Sequence, residues 1–366
     1  MKKLYLLLSI ALPLVSIAQK TVDLDRYRFT VQYRSLPSVK LDSAYRTYNV
    51  EVTGTKLMNP LLSELDPARS VRLEGWKQLD ENGHLKVSVK LGDLLPGDVS
   101  VKERVVTTKN RNGQITGTKI YYWQELTYTF EANAVISDYK GMHIRDEEII
   151  SRLNKQIYRS PEFTLRPMAE GYFLLNSLAI TKELFRDNVA DAMHILSSRL
   201  NNNFGFNAVT VNDYMWVVGK RKHPEYDNWR KAIQQVMDVL FTMNANTPIT
   251  GAREEVQPAI NYFEKIKKLY SSNNRHDRKI RYGCYYNLAV LYYYLDDPQL
   301  MMKEANGLEL NDFDPKDAKG FKTTATWLRN LFEQNNIYTR HFPVNPESYK
   351  GPLEQGAMSV NNYDYQ

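Results

Sequence analysis

Few side chains in this sequence have the types and spacing that chemistry would need. His143 stands close to the acidic residues 146–148, and an imidazole beside carboxylates on one helical face is a pattern of metal sites. No second histidine lies nearby, so an exposed acidic first turn of a helix is the interpretation we favour. The run 312–317 is similar to a calcium loop but lacks its turn glycine and its terminal glutamate. An inter-helix turn with an aspartate cap fits that run better.

No nucleophile stands out either. Cys284 is the only cysteine, lies in an aromatic helical run and has no local Cys-His pattern, so we expect it to be a small buried hydrophobe. A Gly-rich phosphate loop, a zinc-protease His-Glu-x-x-His run and a Gly-x-Ser-x-Gly elbow are absent from the sequence. The sequence predicts no catalytic residue, no metal ligand and no cofactor. An enzyme whose residues converge only in the folded chain stays open as an alternative.

The first residues predict export. Lys2 and Lys3 precede an apolar run at 4–15 and the small-residue sequence 16–18, which is typical of a cleaved signal peptide at residues 1–18. We therefore expect a periplasmic, secreted or cell-surface protein. The apolar run is shorter than the roughly 20 residues of a spanning helix. No later stretch is apolar enough, so no transmembrane segment is expected after cleavage.

Composition and charge exclude other classes. The chain has 366 residues, 43% hydrophobic and 25% charged, enough for two globular domains. Loss of Lys2 and Lys3 lowers the formal charge from +6 to +4, and the excess is spread along the chain. Without a basic stripe or a recognition module, nucleic acid is not an expected partner. A single cysteine permits no intramolecular disulfide, so burial must stabilise the fold.

Residues 19–140 alternate between apolar and polar side chains with a period of two, which predicts strands. The longest such run extends from Ile120 to Ile136. Asn82-Gly83 predicts a turn between strands at 71–79 and after Leu85, and Asn112-Gly113 predicts one between 99–107 and the long strand. Several hairpins with one apolar face each predict an antiparallel β-sandwich.

Residues 141–343 have helical periodicity. Helices are predicted at 146–157, 168–177 and 181–200, and 212–218 is interpreted as a possible helix start. From Asp227 the signal is stronger, with one apolar stripe that begins at Trp229 and ends at Leu240. Sequential helices without intervening strands predict an all-α solenoid, so the fold class is α+β with two domains. The tail 344–366 is rich in Pro, Gly, Asn and Ser and is predicted to be flexible.

The stretch 282–311 resembles one helix-turn-helix unit of a tetratricopeptide-repeat array. The first helix has Tyr285, Leu288, Ala289 and Tyr292 at the packing positions, and a breaker at 296–298 precedes the second helix. Ala305 and Leu308 stand at the packing positions of that second helix. A weak internal repeat, in which residues 259, 263 and 266 match 301, 305 and 308, supports the resemblance. The resemblance implies a helical array that binds partners and performs no chemistry.

The resemblance also implies which residues bind. If the packing positions point inward, the concave side carries the residues at the remaining positions, which are Tyr286, Asn287, Val290, Tyr293 and Tyr294. Aromatic rings with a polar tip are good anchors, so we predict a groove for a peptide or protein segment of the cell envelope. The other interpretation is that these rings pack against the β-domain or a terminal helix.

A glycan-binding function stays open as well. Trp76, Trp123, Trp216 and Trp229 could stack on sugar rings, with the tryptophans of the β-domain as the binding residues. Large aromatic side chains in sheets and helices are more often core residues, and the sequence does not separate the two uses.

Overall fold

A computed structural model describes residues 22–355, and the predicted signal peptide, residues 1–18, lies outside them. Over these described residues the fold is mixed α/β, with three sheets and a largely helical C-terminal half. The strands are β1 (Leu24–Arg34), β2 (Thr47–Thr53), β3 (Lys77–Gln78), β4 (Leu85–Leu91), β5 (Leu95–Lys109), β6 (Ile115–Thr129), β7 (Ala132–Asp138), β8 (His143–Ile150), β9 (Gln156–Arg159) and β10 (Ala208–Val218).

Some of the helices begin or end at turn and cap residues of the sequence. They are α1 (Asn59–Leu62), α2 (Pro67–Ser70), α3 (Arg166–Phe204), α4 (Tyr226–Leu240), α5 (Ala252–Leu269), α6 (Arg275–Tyr294), α7 (Pro298–Asn311), α8 (Pro315–Asn335) and α9 (Pro352–Gln355), with a 3-10 turn at Pro346–Ser348. None of the helices in this described part of the chain is both long and apolar enough to cross a bilayer.

The described chain divides into two compact units that are each discontinuous in sequence. The helical unit consists of residues 22–33, 209–333 and 337–342, and the sheet unit of residues 34–208, 334–336 and 343–355. These units differ from the predicted domains. Strand β1 belongs to the helical unit, and β8, β9 and α3, all beyond the predicted boundary at Lys140, belong to the sheet unit.

The sheet unit contains one mixed sheet and one antiparallel sheet. The five-stranded sheet has the order β3-β2-β4-β7-β8, with β2 parallel to both β3 and β4. The pairs β4–β7 and β7–β8 are antiparallel. The three-stranded sheet has the order β5-β6-β9 and is antiparallel throughout. A fully antiparallel arrangement was therefore the wrong prediction for two of these pairings.

The Asn82-Gly83 turn shows why. Asn82 has a positive φ of 55°, as a turn residue should, yet the chain that follows pairs with β2 and not with β3. Gly83 lies against the β2 backbone, where an added Cβ would come within 2.4 Å of the carbonyl carbon of Tyr48. Its N–H donates to the Asn49 side chain at 3.0 Å. The glycine thus permits a close backbone crossing over β2, whereas the predicted hairpin would have needed it only for the turn.

The second Asn-Gly signal predicted its hairpin correctly. Strands β5 and β6 pair from Leu95↔Thr129 to Lys109↔Ile115, and the turn between them contains Gly113 at φ 80°. Asn110 accepts the backbone N–H groups of Asn112 and Gln114 through its side-chain oxygen. Local turn chemistry therefore determines this connection.

Four predicted helical segments were wrong in type or extent. Residues 146–150 belong to β8 and residues 156–157 to β9. Glu147 and Ile149, two positions apart on β8, both face the core, and Glu147 pairs with Arg145 and Arg199. Residues 168–177 and 181–200 form one continuous helix, α3. Residues 212–218 belong to strand β10, which pairs with β1. In the predicted tail, residues 346–348 and 352–355 are helical, and 356–366 lie outside the described residues.

Helices α4, α6 and α7 of the helical unit lie where the sequence predicts helices. The stripe on α4 is buried as expected, with Trp229, Ile233 and Val236 at 0–1% exposure. Helix α6 begins at the Asn274 cap, whose side chain accepts the N–H of Asp277, and the Asp297 side chain caps α7 through the N–H of Leu300. The breaker at 296–298 therefore ends one helix and begins the next, as the sequence indicates.

Candidate functional site: the aromatic helix and an exposed ribbon

The structure places most of the predicted groove residues of α6 in the core of the helical unit. Asn287 is 1% exposed, Tyr294 2%, Val290 3% and Tyr286 7%, and only Tyr293 is half-buried. The packing positions are occupied as predicted at Leu288, Ala289 and Tyr292, which are buried, whereas Tyr285 is half-buried. Helix α6 is thus covered on both faces. The prediction that these five residues line an open groove is wrong for the four buried ones.

Strands β1 and β10 cover the face that the sequence assigned to a partner. The Tyr286 ring stacks on Tyr214 of β10 at 5.4 Å and meets Phe321 of α8 edge-on at 5.0 Å. Tyr294 meets Phe29 of β1 at 5.6 Å and donates its hydroxyl proton to Asp213 at 2.8 Å. Burial raises the pKa of both phenols well above the ordinary value.

Asn287 attaches α6 to β10 by a pair of hydrogen bonds. Its side-chain oxygen accepts the N–H of Trp216 at 2.7 Å, and its amide donates to the Trp216 carbonyl at 2.8 Å. The indole N–H of Trp229 donates to the same carbonyl at 2.7 Å. The polar residue that seemed suited to ligand recognition therefore satisfies the backbone of an edge strand inside the protein.

Substitution Asn287→Ala should therefore affect stability. It removes both bonds and leaves the buried Trp216 N–H without this partner, which costs about 2–4 kcal/mol of unfolding free energy. Denaturant titration measures the change. Asn261→Ala, at an exposed position of α5, is the control and should stay within about 0.5 kcal/mol of the parent. A loss below about 1 kcal/mol for Asn287→Ala would contradict the role in attachment.

Arg340 occupies the remaining side of the aromatic helix. Its guanidinium lies 4.2 Å from the centre of the Tyr33 ring and 4.3 Å from that of Tyr293, and it is paired with Asp296 at 2.6 Å. The side chains of Arg340 and Asp296 are only 1% and 3% exposed. Tyr293 is thus the stacking partner of an internal cation, which accounts for its half-buried state.

The residues that could have carried chemistry have structural contacts. His143 Nε2 lies 3.0 Å from Asp146 Oδ1 on an exposed stretch of β8, not at a helix start. Asp312 ends α7 in a left-handed conformation, and Asp314 accepts the N–H of Lys316. Cys284 is fully buried, and burial raises the pKa of its thiol well above the ordinary value. Among residues 22–355, no group of three or more His, Cys, Asp or Glu could hold a metal ion.

A cleft of about 670 Å³ in the sheet unit brings some polar groups together. Asp42, Asp138 and His143 line it with Tyr45 and apolar side chains. Asp138 accepts the backbone N–H groups of Lys140 and Met142 and the hydroxyl proton of Tyr45 at 3.2 Å. Burial and this carboxylate raise the pKa of Tyr45 to about 12. The carboxylate that could act as a base here is thus occupied by the turn that it stabilises.

The four tryptophans considered for sugar stacking have buried or covered rings. Trp229 is fully buried, and Trp76 is 5% exposed and donates to the carbonyl of Phe204. Trp216 lies half-buried beside Tyr286 in the helical unit. The Trp123 ring is half-buried under the guanidinium of Arg159, which lies 4.0 Å from its centre. A sugar ring on Trp123 would have to displace this cation, so the predicted stacking surface is already occupied.

An exposed surface that the sequence did not point to lies on strands β5 and β6. From Val99 to Tyr121 these strands form a two-stranded ribbon in which almost every side chain on both faces is exposed or half-exposed. Val105 is 56% exposed and Ile115 61%. Two-stranded ribbons are marginal in water by themselves, because each face lacks a packing partner.

The base of the ribbon is fixed to the rest of the sheet unit. The Gln124 amide donates to the carbonyl of Glu170 at 3.2 Å, and its side-chain oxygen accepts the N–H of Phe173 at 2.8 Å. Arg104 makes a bidentate pair with Glu162 on the opposite face, at 2.7 and 3.0 Å. The base is therefore rigidly held, while the distal part extends beyond these contacts.

The ribbon also has two unpaired edges in the described part of the chain. Strand β5 is at the edge of its sheet over its full length, and β9 pairs with β6 only at residues 125–128. Beyond β9, one further bridge joins Tyr122 to Phe163. An exposed strand edge presents backbone N–H and C=O groups that can pair with another extended chain.

The chain matches no protein-family model, and no curated protein is significantly similar to it. The surfaces above therefore carry the functional argument by themselves.

Proposed function

We propose that this protein is an exported, non-catalytic interaction protein that binds an extended, acidic protein segment along the β5–β6 ribbon. The observation that carries the proposal is the ribbon itself, which is held at its base and has open edges and exposed apolar side chains. The partner class is the one predicted from the sequence, a peptide or protein segment of the cell envelope. The surface is different, because β1, β10 and Arg340 occupy the aromatic face of α6.

Charge selects the chemistry of the partner. Between Val99 and Tyr121 the ribbon carries five basic side chains and a single acidic one, Glu103. The basic residues are Lys102, Arg104, Lys109, Arg111 and Lys119. Only Arg104 forms an ion pair within residues 22–355. An extended segment that alternates acidic and β-branched residues would complement both the charge and the valines.

The backbone supports strand addition as the binding mode. In an antiparallel pair only alternate residues of β5 exchange backbone hydrogen bonds with β6, so the other residues direct their N–H and C=O groups outward. A partner strand satisfies these groups, and its side chains reach the exposed Val99, Val105 and Ile120. Main-chain bonds then supply affinity, and charge supplies selectivity.

Export and architecture support the location and the role. The basic, apolar and small-residue succession at 2–18 supports a periplasmic or cell-surface location. The α6–α7 hairpin, with its caps and its buried Ala305 and Leu308, supports a tetratricopeptide-like array as the scaffold of the helical unit. In this proposal the array does not bind the partner, and its helix α6 packs against strands β1 and β10 of the same unit.

A binding assay with defined peptides tests the proposal. A fluorescent peptide of alternating Glu and Val or Thr should bind the mature protein with a micromolar dissociation constant at low salt, and a Lys-substituted peptide should not. Lys102→Glu with Lys119→Glu should weaken binding at least tenfold, because repulsion replaces attraction. Lys316→Glu with Lys319→Glu, exposed in the helical unit, changes the net charge equally and should leave binding intact.

A shortened ribbon separates edge pairing from charge alone. Arg104 and Tyr121 face each other in register, so an Asn-Gly turn can replace residues 105–120 and keep the base intact. Binding should be lost while the circular dichroism and melting temperature stay close to those of the parent. Retained binding by the shortened protein, or equal binding of both peptides, would contradict the proposal.

A further inference from the structure

Helix α3 carries a long apolar stripe that the sheet unit buries at one end. Phe185, Val189, Met193, Leu196 and Leu200 recur every three or four residues, which places them on one face of the helix, and all are 0–2% exposed. Phe185 packs edge-on against Phe130 at 6.1 Å. This face is therefore the core face of the C-terminal half of α3.

The same stripe continues toward the N-terminus of α3, where no other segment of residues 22–355 buries it. Continuing the spacing backwards from Phe185 passes Lys182 and reaches Leu178, Leu175 and Gly171. Leu178 is 79% exposed, Leu175 84%, and the adjoining Leu174 81%. Three neighbouring leucines at this exposure form a patch that monomeric proteins rarely leave in water.

The stripe cannot turn inward, because the other face of this half of α3 is already packed. The Gln124 side chain of β6 is bonded to the backbone at Glu170 and Phe173, and Asn188 further along accepts an amide proton from Gln156 of β9. Ala169 and Ile180 are buried on this sheet-facing side at 0% and 2% exposure. Rotating the helix to cover the leucines would break these bonds.

Gly171 indicates what covers the stripe. Beside the position of its missing Cβ, only the side chain of Leu175 lies within 4 Å, at 3.9 Å, and its φ is not positive. Within residues 22–355 no contact requires glycine here, although glycine lowers helix stability relative to alanine. Glycine on a helix surface permits close approach of a second helix.

Charge points to a second copy of this chain. From Gly171 to Thr181 the sequence GYFLLNSLAIT contains no charged residue. In an isologous pair each residue near the two-fold axis faces its own kind, so charges there would repel. A stripe free of charge, centred on leucines and bearing a glycine on one side, is self-complementary in this arrangement.

We infer that α3 pairs antiparallel with α3 of a second copy through this stripe. The two-fold axis lies between Leu174 and Leu175, so that Leu178 of each copy packs over Gly171 of the other. This inference is independent of the ribbon and adds an oligomeric surface to the proposed function. The exposed apolar residues at this end of α3 that would lie in the interface are Leu165, Met168, Leu174, Leu175 and Leu178.

Area determines how strong the pairing is. Five apolar side chains at about 60–120 Å² each bury roughly 300–600 Å² per copy. A standard interface buries about 800 Å² per partner. The pair is therefore a reversible dimer that forms at micromolar or higher concentration.

Sedimentation of the mature protein tests the inference. The mass should rise from one chain to two over roughly 1–500 µM and no further. Leu175→Glu with Leu178→Glu should raise the dissociation constant at least tenfold, because both side chains are exposed in the monomer and like charges then meet at the axis. Asp187→Lys with Asp191→Lys, exposed on the same helix off the stripe, should have no effect on the mass. A monomer at every concentration, or unlimited association, would overturn the inference.

Cross-linking tests the antiparallel geometry. Leu175→Cys lies at the axis and should form a disulfide-linked dimer under mild oxidation, while the buried Cys284 stays unreactive. Met168→Cys should not, because at 1.5 Å per residue its two copies lie about 20 Å apart along the helices. Efficient linkage of both variants would indicate a parallel pair and overturn the proposed geometry.

Gly171→Ala separates pairing from folding. It should raise the melting temperature of the dilute monomer by a few degrees through helix propensity, and also weaken the dimer at least fivefold by obstructing Leu178 of the second copy. An unchanged dissociation constant would remove Gly171 from the interface and overturn the close approach. Binding of neutral lipid vesicles that is abolished by Leu175→Glu, with a monomer throughout, would assign the stripe to a lipid surface instead.

Discussion

Above pH 10 the helical unit is expected to unfold steeply, because its aromatic helix buries phenols that must stay protonated. Tyr282, Tyr286, Tyr292 and Tyr294 are 2–7% exposed, and burial raises the pKa of each above the ordinary value of 10, to about 12 for Tyr292. In the unfolded chain these groups lose protons as the pH passes 10, whereas the folded chain retains them.

The sign and size of this effect follow from proton linkage. The unfolded state binds fewer protons above pH 10, so stability falls with rising pH and is fully present below that value. Four retained protons correspond to a loss of about 5 kcal/mol per pH unit at 1.36 kcal/mol each. Domains of this kind have about 5–15 kcal/mol in total, so the unit should unfold within one to three pH units. Tyr33 and Tyr262, whose pKa is also raised by burial, steepen the loss.

Circular dichroism and tyrosinate absorbance, followed together from pH 9 to about 12, measure the transition. Both signals should change cooperatively in one step. Tyr292→Phe removes one buried phenol and should reduce the slope by about 1.4 kcal/mol per pH unit while leaving neutral stability nearly unchanged. Tyr338→Phe, at a side chain that is 63% exposed, is the matched control and should follow the parent. Gradual ionisation without unfolding would show that these phenols are accessible.

Arg340→Met is expected to destabilise the helical unit by about 3–5 kcal/mol, because it leaves the buried carboxylate of Asp296 without its cation. In this variant the Asp296 carboxylate would accept hydrogen bonds only from the backbone N–H of residue 340 and from the Thr339 hydroxyl, which lies 3.1 Å away. The guanidinium also fills the space between the rings of Tyr33 and Tyr293, so its loss removes packing as well.

Denaturant titration of the single variants and the double variant gives the coupling between the two residues. Arg340→Met with Asp296→Asn should recover part of the stability, since no uncompensated charge then remains buried. Arg329→Ala removes an exposed pair with Glu333 at 3.9 Å and should change stability by less than about 0.5 kcal/mol. Equal effects of Arg340→Met and Arg329→Ala would contradict a buried ion pair.

The sequence predicted the elements that local chemistry determines. The stripe on α4, the breaker at 296–298 and the turn at Gly113 depend on residues within a few positions of each other, and these predictions are confirmed. The type of β8 was wrong because Glu147 is buried against Arg199, a partner that the local pattern does not contain. A buried acid at a strand position looks from sequence alone like the first turn of a helix.

The predicted groove on α6 was wrong because the residues that cover this helix are distant from it in sequence. The sequence left open whether the tyrosines of α6 face a partner or pack against another part of the chain. The cover comes from Phe29 and Tyr33 near the N-terminus and from Arg340 near the C-terminus, all far from α6 in sequence. Nothing in the helix itself distinguishes a ring that faces a strand from one that faces a ligand. The ribbon was missed for the opposite reason, since its alternation predicted a half-buried strand and not one exposed on both faces.

The nested order of the chain has a consequence for biogenesis. Strand β1 ends at residue 34, but its partner β10 begins only at residue 208. Arg340, whose guanidinium stacks on the Tyr33 ring of β1, comes later still. A chain that crosses a membrane from its N-terminus delivers β1 first and must leave it unpaired while the whole intervening unit emerges. For the proposed exported chain, the helical unit can therefore complete its fold only late in translocation. Until then the unpaired edges of β1 are open to self-aggregation.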